Sequence, residues 1–447
     1  MINFKSFVEI NFNVKSILYY RIWNIIAGII VVFVIPNYLN YNIQGYYFTF
    51  LSIVALQIIF ELGLSQIITQ ISSHEFAHVE PYRTTHIKNN DNINKLIYIK
   101  HFIKSWYKKI SLLFFITTWT LGALYFSLFS TDGSVDWAYP WLIMVLATAI
   151  NLFLTPRFGI IEGAGETGRV AMVRLTQSIL GHALMVIVIL AGGQLWSVIV
   201  VPLTASIYSF AWLAFSKNPY RNIPMQVGPG IREPQWRSEL MGLQWRVALA
   251  WLGGYLSYQT IVPIVFAFQG SGEAGRIGMA LQISGTLQTL GMSWIAARSP
   301  EFGYLISRGE FRNLRRLFVR SSSYAVATTL VCSTLVAIGI QLIVALYPNL
   351  EYKLPSITVS LILIATSTFG AFTYAMAAYM RAHKTEPLVI SSLVTGATTV
   401  VLATIGGQSS AVVVIALYAF VTLCISTPWT YVLYRRYRDF NITREVA

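Results

Sequence analysis

The chain has 447 residues, of which 55% are hydrophobic and only 11% charged, whereas soluble domains typically carry about a quarter charged residues. That balance excludes an ordinary soluble enzyme and points to a polytopic membrane protein. A formal net charge of +14 would suit a nucleic-acid partner, but the positive residues are distributed by membrane topology, so no nucleic acid is expected.

Taken in order, apolar segments fall near residues 17–39, 46–70, 110–130, 139–161, 170–191, 198–216, 241–268, 276–297, 321–347, 355–380, 388–406 and 411–433, twelve in all. Each approaches the roughly 20 residues a helix needs to cross hydrocarbon at 1.5 Å per residue. The polar MINFKSFVEINFNVK that precedes the first segment, with no small-residue cleavage site after it, marks that helix as retained rather than removed as a signal peptide. An even count puts both termini on one side. Placing them in the cytoplasm leaves all but two of the 32 Lys and Arg there, the exceptions being Arg276 and Lys353, as the positive-inside rule requires. Gly272 and Gln408 then face outward, Asn89 and Arg312 inward.

Residues 217–240 carry Pro219, Pro224, Pro229 and Pro234 and have linker composition. They separate residues 1–216 from residues 241–447, and these halves show a weak, ordered repeat. Placing Arg21 on Arg246 puts Gly28 on Gly253, and further on Leu62-Gly63-Leu64 matches Leu290-Gly291-Met292. Each half has a basic amphipathic segment before its third helix, with Leu96, Ile99, Ile103, Trp106 and Ile110 in the first and Phe311, Leu314, Leu317 and Phe318 in the second. These are expected to lie on the inner membrane surface. The expected fold is an all-α polytopic membrane protein with twelve transmembrane helices. They form two six-helix lobes related by a pseudo-twofold axis along the membrane normal, around a central cavity.

The runs GYYFTFLSIVALQIIFELGLSQIITQ (45–70) and AGRIGMALQISGTLQTLGMSWIAARSPEFG (274–303), together with this twelve-segment plan, resemble the O-antigen and polysaccharide flippases of the multidrug/oligosaccharidyl-lipid/polysaccharide exporter superfamily. The resemblance implies alternating-access transfer of undecaprenyl-pyrophosphate-linked oligosaccharides from the inner to the outer leaflet of a bacterial plasma membrane. It also implies H⁺ or Na⁺ as a candidate coupling ion, and polymerase and chain-length proteins as candidate membrane partners. No cofactor and no enzymatic activity are expected.

Such a substrate needs a cationic lining. With residues rotating by 100°, Arg246, Ala250, Gly253 and Ser257 share one stripe of the seventh segment, the kind that faces a cavity or a close partner helix. Ser284, Gln288, Gly291 and Arg298 repeat the pattern on the eighth. Arg21, Asn24 and Gly28 do so on the first, and Arg174, Gln177, Ser178, Gly181 and His182 on the fifth, while Arg157 ends the fourth. Guanidinium forks match phosphate oxygens bidentately and keep their charge, so Arg21, Arg157, Arg174, Arg246 and Arg298 are the candidate substrate-binding residues. The competing reading is that they snorkel to headgroups. Glu61, on a stripe with Gln57, Ser65 and Thr69, is a candidate for ion coupling or for a structural pair with an arginine. Trp251, Tyr255, Tyr258 and Trp294 are candidates for stacking on sugars, or for packing.

Three motif matches fail. His74-Glu75-Phe76-Ala77-His78 has the spacing of a zinc site, but Pro81 follows closely and no third ligand is found. GAGETG (163–168) and GSGEAG (270–275) fit the dinucleotide fingerprint but lie between transmembrane segments, with no strand. Cys332 and Cys424 sit in apolar stretches, so neither a disulfide nor a metal site is expected. Among related transporters, a multidrug antiporter would call for cavity carboxylates, which the first and seventh segments lack. A peptidoglycan-precursor flippase usually has two more helices. A polymerase or ligase would expose a large outward loop, and every outward loop here is short.

Overall fold

A computed structural model describes residues 4–61, 63–77, 91–130, 133, 135–224, 248–383 and 386–446. The described residues form helices α1 (Phe4–Tyr38), α2 (Tyr41–Val54), α3 (Gln57–Glu61), α4 (Leu64–Ala77), α5 (Asp91–Phe129), α6 (Ala138–Gly163), α7 (Thr167–Leu190), α8 (Ser197–Phe215) and α9 (Pro219–Asn222). After these come α10 (residues 248–258), α11 (Ile261–Ser307), α12 (Phe311–Leu346), α13 (Ile357–Arg381), α14 (Val389–Gly407), α15 (Ala411–Phe420) and α16 (Thr427–Val446). A π-helical turn, Val421–Ser426, joins the last two.

Eleven helical spans are long and apolar enough to cross a membrane among the described residues, and one of them, Ala248–Ser307, has 60 residues. At 1.5 Å per residue that is about 90 Å, far more than one crossing of a roughly 30 Å core. Gly270 breaks it, with φ 87° and ψ 172°, a conformation that suits glycine alone. Tyr258, twelve residues before the break, donates its hydroxyl to the Leu281 carbonyl, eleven residues after it. The two halves therefore run back along each other as a hairpin, and the protein is an all-α membrane fold of twelve crossings.

Two local expectations change. The second apolar segment is not one helix: α2 stops at Val54, α3 lasts five residues, and Gly63 (φ 68°) precedes α4. The amphipathic segments are not separate surface helices either. They form the first turns of α5 and α12, which run unbroken for 39 and 36 residues, because neither contains a proline and the first glycines in them are Gly122 and Gly339.

By contacts the chain divides into two compact units, one of Met1–Ile29, Leu56–Leu128 and Ser134–Ala248, the other of Ile30–Ala55, Phe129–Gly133 and Leu249–Ala447. In the first unit, α6 presents Gly159 and Gly163 to α4, where added Cβ atoms would lie 3.0 Å from Ser65 O and 2.6 Å from Ser72 Cβ. Trp141 is fully buried, edge-on to Phe126 at 5.4 Å. In the second unit, α2 and α11 meet through glycines: a Cβ on Gly45 would fall 1.8 Å from Ser271 O, and one on Gly278 2.3 Å from Phe48 Cβ. Small residues allow this approach, which lets dispersion replace the hydrophobic force that lipid does not supply. Phe302, Phe318, Tyr379 and Tyr434 pack as an aromatic cluster that ties α11, α12, α13 and α16.

Gly45→Ala should be costly, because its methyl would press on backbone that cannot rotate away. A loss of roughly 3 kcal/mol or more is expected, read as a lower unfolding temperature in detergent, while Gly254→Ala, which meets open space, leaves it unchanged. Gly272 abuts the Tyr41 ring, with a Cβ 1.8 Å from Cε1, so Gln408, exposed after α14, is the better outward reporter. In a cysteine-free background, Gln408→Cys should react with an impermeant thiol reagent added outside and Arg312→Cys should not.

Candidate functional site

In the first unit the α7 stripe is occupied by neighbouring helices. Ser178 Oγ accepts from Trp23 Nε1 at 3.0 Å, Gln177 Oε1 accepts from Ser209 Oγ at 2.9 Å, and Gly181 lies against Val201 of α8. His182 bonds to the Ser178 carbonyl at 2.8 Å, with its ring edge-on to Trp23. Arg174, one turn before this stripe, is ion-paired with Glu162 at 3.0 Å and stays partly exposed. Arg21 is exposed on α1.

Arg157 is different. It is 7% exposed, near the end of α6. Its guanidinium lies 3.9 Å from the Phe153 ring centroid and 5.8 Å from that of Tyr220, and one N–H donates to the Phe153 carbonyl. Among the described residues no carboxylate pairs with it. Glu61 ends α3 just before Gly63 and is partly buried, with the buried Tyr107 of α5 in electrostatic range. The Ser65 and Thr69 part of its expected stripe packs on Gly159 of α6 instead. Glu75 pairs with Lys95 at 3.3 Å.

In the second unit, Gly253 and Ser257 of the α10 stripe face α14 or bond within the helix: a Cβ on Gly253 would lie 2.4 Å from Ser392 C, and Ser257 Oγ donates to the Gly253 carbonyl at 2.9 Å. Arg246 lies outside the described residues. On α11, Gln288 meets Gly370 and Gly291 meets Thr329. Ser284 lines a cavity of about 30 Å³ with Ser333, Ser360 and Ser367, room for about one water. Arg298 leaves this packed face. Its side chain is 57% exposed and pairs with Glu301 at 3.0 Å. Tyr255 donates to the Ser52 carbonyl at 3.3 Å, Tyr258 is bound as described, and Trp294 donates to Thr328 Oγ1 at 3.0 Å.

The two cations assigned outward both bind protein acceptors. Arg276 reaches Glu273 at 2.9 Å and the Leu354 carbonyl at 3.1 Å, while the Tyr41 hydroxyl donates to the same Glu273 at 2.9 Å. Lys353 donates to the Pro36 and Leu39 carbonyls at 3.1 Å each, and burial lowers its pKa from the ordinary lysine value. Sequence reasoning missed Lys100, which is 5% exposed on α5 and donates to the Ile223 carbonyl. Its position one helical turn after Leu96 and three residues before Ile103, on the edge of the apolar face, was the available signal.

No protein-family model and no curated protein matches the sequence. Solved structures match it over nearly its whole length. An inward-facing multidrug resistance transporter of the MATE family, of the MOP superfamily, superposes with a TM-score of 0.62 at 14% identity, covering 94% of this chain and 99% of that one. The lipid II flippase MurJ in an inward closed conformation gives 0.60 at 15% identity, covering 95% and 87%. The MATE multidrug transporter DinF-BH gives 0.57 at 15% identity, covering 97% and 96%. At these identities the likeness establishes architecture, and the chain shares the all-helical membrane fold of these three structures.

Proposed function

We propose that the protein is a flippase that moves undecaprenyl-pyrophosphate-linked oligosaccharide repeat units from the cytoplasmic to the outer leaflet of a bacterial inner membrane, for O-antigen or another surface polysaccharide. In this reading both termini are cytoplasmic, and residues 1–216 and 241–447 are the two lobes that alternate access. The observation that supports it most is Arg157. A buried guanidinium costs several kcal/mol unless an opposite charge offsets it, and none of the described carboxylates does so. By contrast, Glu162, Glu273 and Glu301 are held by Arg174, Arg276 and Arg298. The unmatched charge at the buried Arg157 is positive, which suits an anionic headgroup better than a cationic drug. Arg21 and Arg246 would add guanidinium groups along the route, with Arg174 and Arg298 in reserve behind their glutamates.

A second reading, a cation-coupled multidrug antiporter, is favoured by the MATE likeness and by Glu61 beside a broken helix, where discontinuous transmembrane helices commonly place ion sites. Both readings allow H⁺ or Na⁺ coupling, and the flippase reading leaves room for polymerase and chain-length partners in the membrane.

Cells lacking the protein should accumulate the lipid-linked repeat unit. Altered sensitivity to cationic drugs, with no accumulated lipid, would replace the flippase reading by the antiporter. In complementation of that strain, Arg157→Ala, Arg246→Ala and Arg298→Ala should each reduce surface polysaccharide at least several-fold at unchanged protein level, lysine should restore it partly because it lacks the bidentate fork, and glutamate should abolish it. Normal polysaccharide from all three glutamate variants would sink the cationic route. Glu61→Gln removes charge and proton but keeps shape. Transport that falls at constant abundance supports coupling, and a fall in abundance at normal transport per molecule supports a structural role.

A further inference from the structure

A short strap follows α8 in the first unit. Asn218 Nδ2 donates to the Leu213 and Ser216 carbonyls, its Oδ1 caps the Arg221 N–H at 3.0 Å, and Pro219 opens α9. Arg169 holds the Lys217 carbonyl at 3.0 Å. The strap carries Tyr220 to a place between two helices, where its ring centroid lies 4.8 Å from Lys100 Nζ of α5 and 5.8 Å from Arg157 Cζ of α6. Three residues on, the Ile223 carbonyl accepts from Lys100.

Two cations, 5% and 7% exposed, thus share one aromatic ring. Lys100 has three N–H donors and Arg157 five, and the described bonds use one of each, both to neutral carbonyls. Lys104, of like charge, lies within electrostatic range of Lys100. The acids closest in the chain to Arg157, Glu162 and Glu166, are held by Arg174 and Arg169. A ring face and a carbonyl dipole each offset only part of the desolvation of a buried cation, so the spare donors converge where an anion would be bound more strongly than what fills the place now.

We propose that Lys100 and Arg157 form a phosphate-binding pocket in the first unit, closed in this structure by Tyr220 and the Ile223 carbonyl, and opened when the strap withdraws. The proposal deepens the flippase reading, since it takes Arg157 from it and adds a second cation and a plug. Ring and phosphate compete for the same two cations, so loading and strap displacement are one event. The phosphate could come from a lipid-linked substrate or from a phospholipid headgroup, because both present the same oxygens.

The test uses the purified full-length protein in phosphatidylcholine nanodiscs, titrated with inorganic pyrophosphate and followed by thermal unfolding. Saturable stabilisation is expected. Lys100→Met and Arg157→Met should each raise the Kd at least roughly tenfold, the loss of one charge-assisted contact. Lys100→Arg should retain binding, which covers the case in which Lys100→Met does not fold. Tyr220→Ala should bind more tightly, and Arg308→Ala, which removes an exposed second-unit cation paired with Glu310 at 2.9 Å, should match the unaltered protein. Exchanging part of the lipid for phosphatidylglycerol separates the sources: weakened pyrophosphate binding shows headgroups in the same pocket, unchanged binding assigns it to a transported phosphate, and either supports the pocket. Equal Kd values for the unaltered protein, Lys100→Met and Arg157→Met would overturn it, as would no binding by either the unaltered protein or Tyr220→Ala. The flippase reading fails separately. Pyrophosphate binding by a protein whose null strain accumulates no lipid-linked oligosaccharide would leave the pocket standing and remove the function.

Discussion

Hydrocarbon offers no hydrogen bonds, so each backbone N–H and C=O that enters it must find a partner in the protein, and a helix satisfies that demand within one segment. The same constraint governs the side chains. Thr117, Thr120, Thr286 and Thr373 leave no orphan donor, because each hydroxyl bonds the carbonyl four residues back, at 2.7–2.9 Å.

Because lipid is as apolar as the side chains it touches, what holds these helices together is closeness rather than oiliness. The Gly45 contact with Ser271, the Gly163 contact with Ser72 and the Gly253 contact with Ser392 are three cases in which a missing side chain is the interaction. Polar stripes on α7 and α11 work in the same way. Ser178, Gln177 and Gln288 bond or abut neighbouring helices, so residue types that could line a route for sugars serve instead as glue.

Charge then sorts into two populations. Arg174, Arg276 and Arg298 are each neutralised by a carboxylate, which makes them inexpensive to keep near a membrane and slow to bind a new anion. Among the described residues, Arg157 and Lys100 have aromatic rings and carbonyls in place of acids. Such neutral partners can be exchanged for a phosphate without leaving a buried carboxylate behind, and this is why the unpaired cations, rather than the whole basic complement, carry the functional argument.

Membrane class, the twelve crossings and the pair of long apolar segments on either side of Gly270 were legible in the linear order of residues, because hydropathy and segment length are local and the hydrocarbon thickness sets one scale for all of them. Lys and Arg counts likewise gave an expected orientation without any contact being known. The break of the second segment at Gly63 was within reach of local reasoning, since glycine marks such points, but the apolar run across it hid the signal. The fate of each arginine was not legible. Whether Arg174 meets Glu162, Arg298 meets Glu301, or Arg157 meets Tyr220 depends on residues 3 to 63 positions away, and on which helix faces which. Periodicity says which residues share a face. It does not say what stands opposite, and the state of a buried charge is a property of its opposite number. That pairing is the work of tertiary packing, which here spent most polar stripes on helix contacts and left Lys100 and Arg157 together with no acid among the described residues.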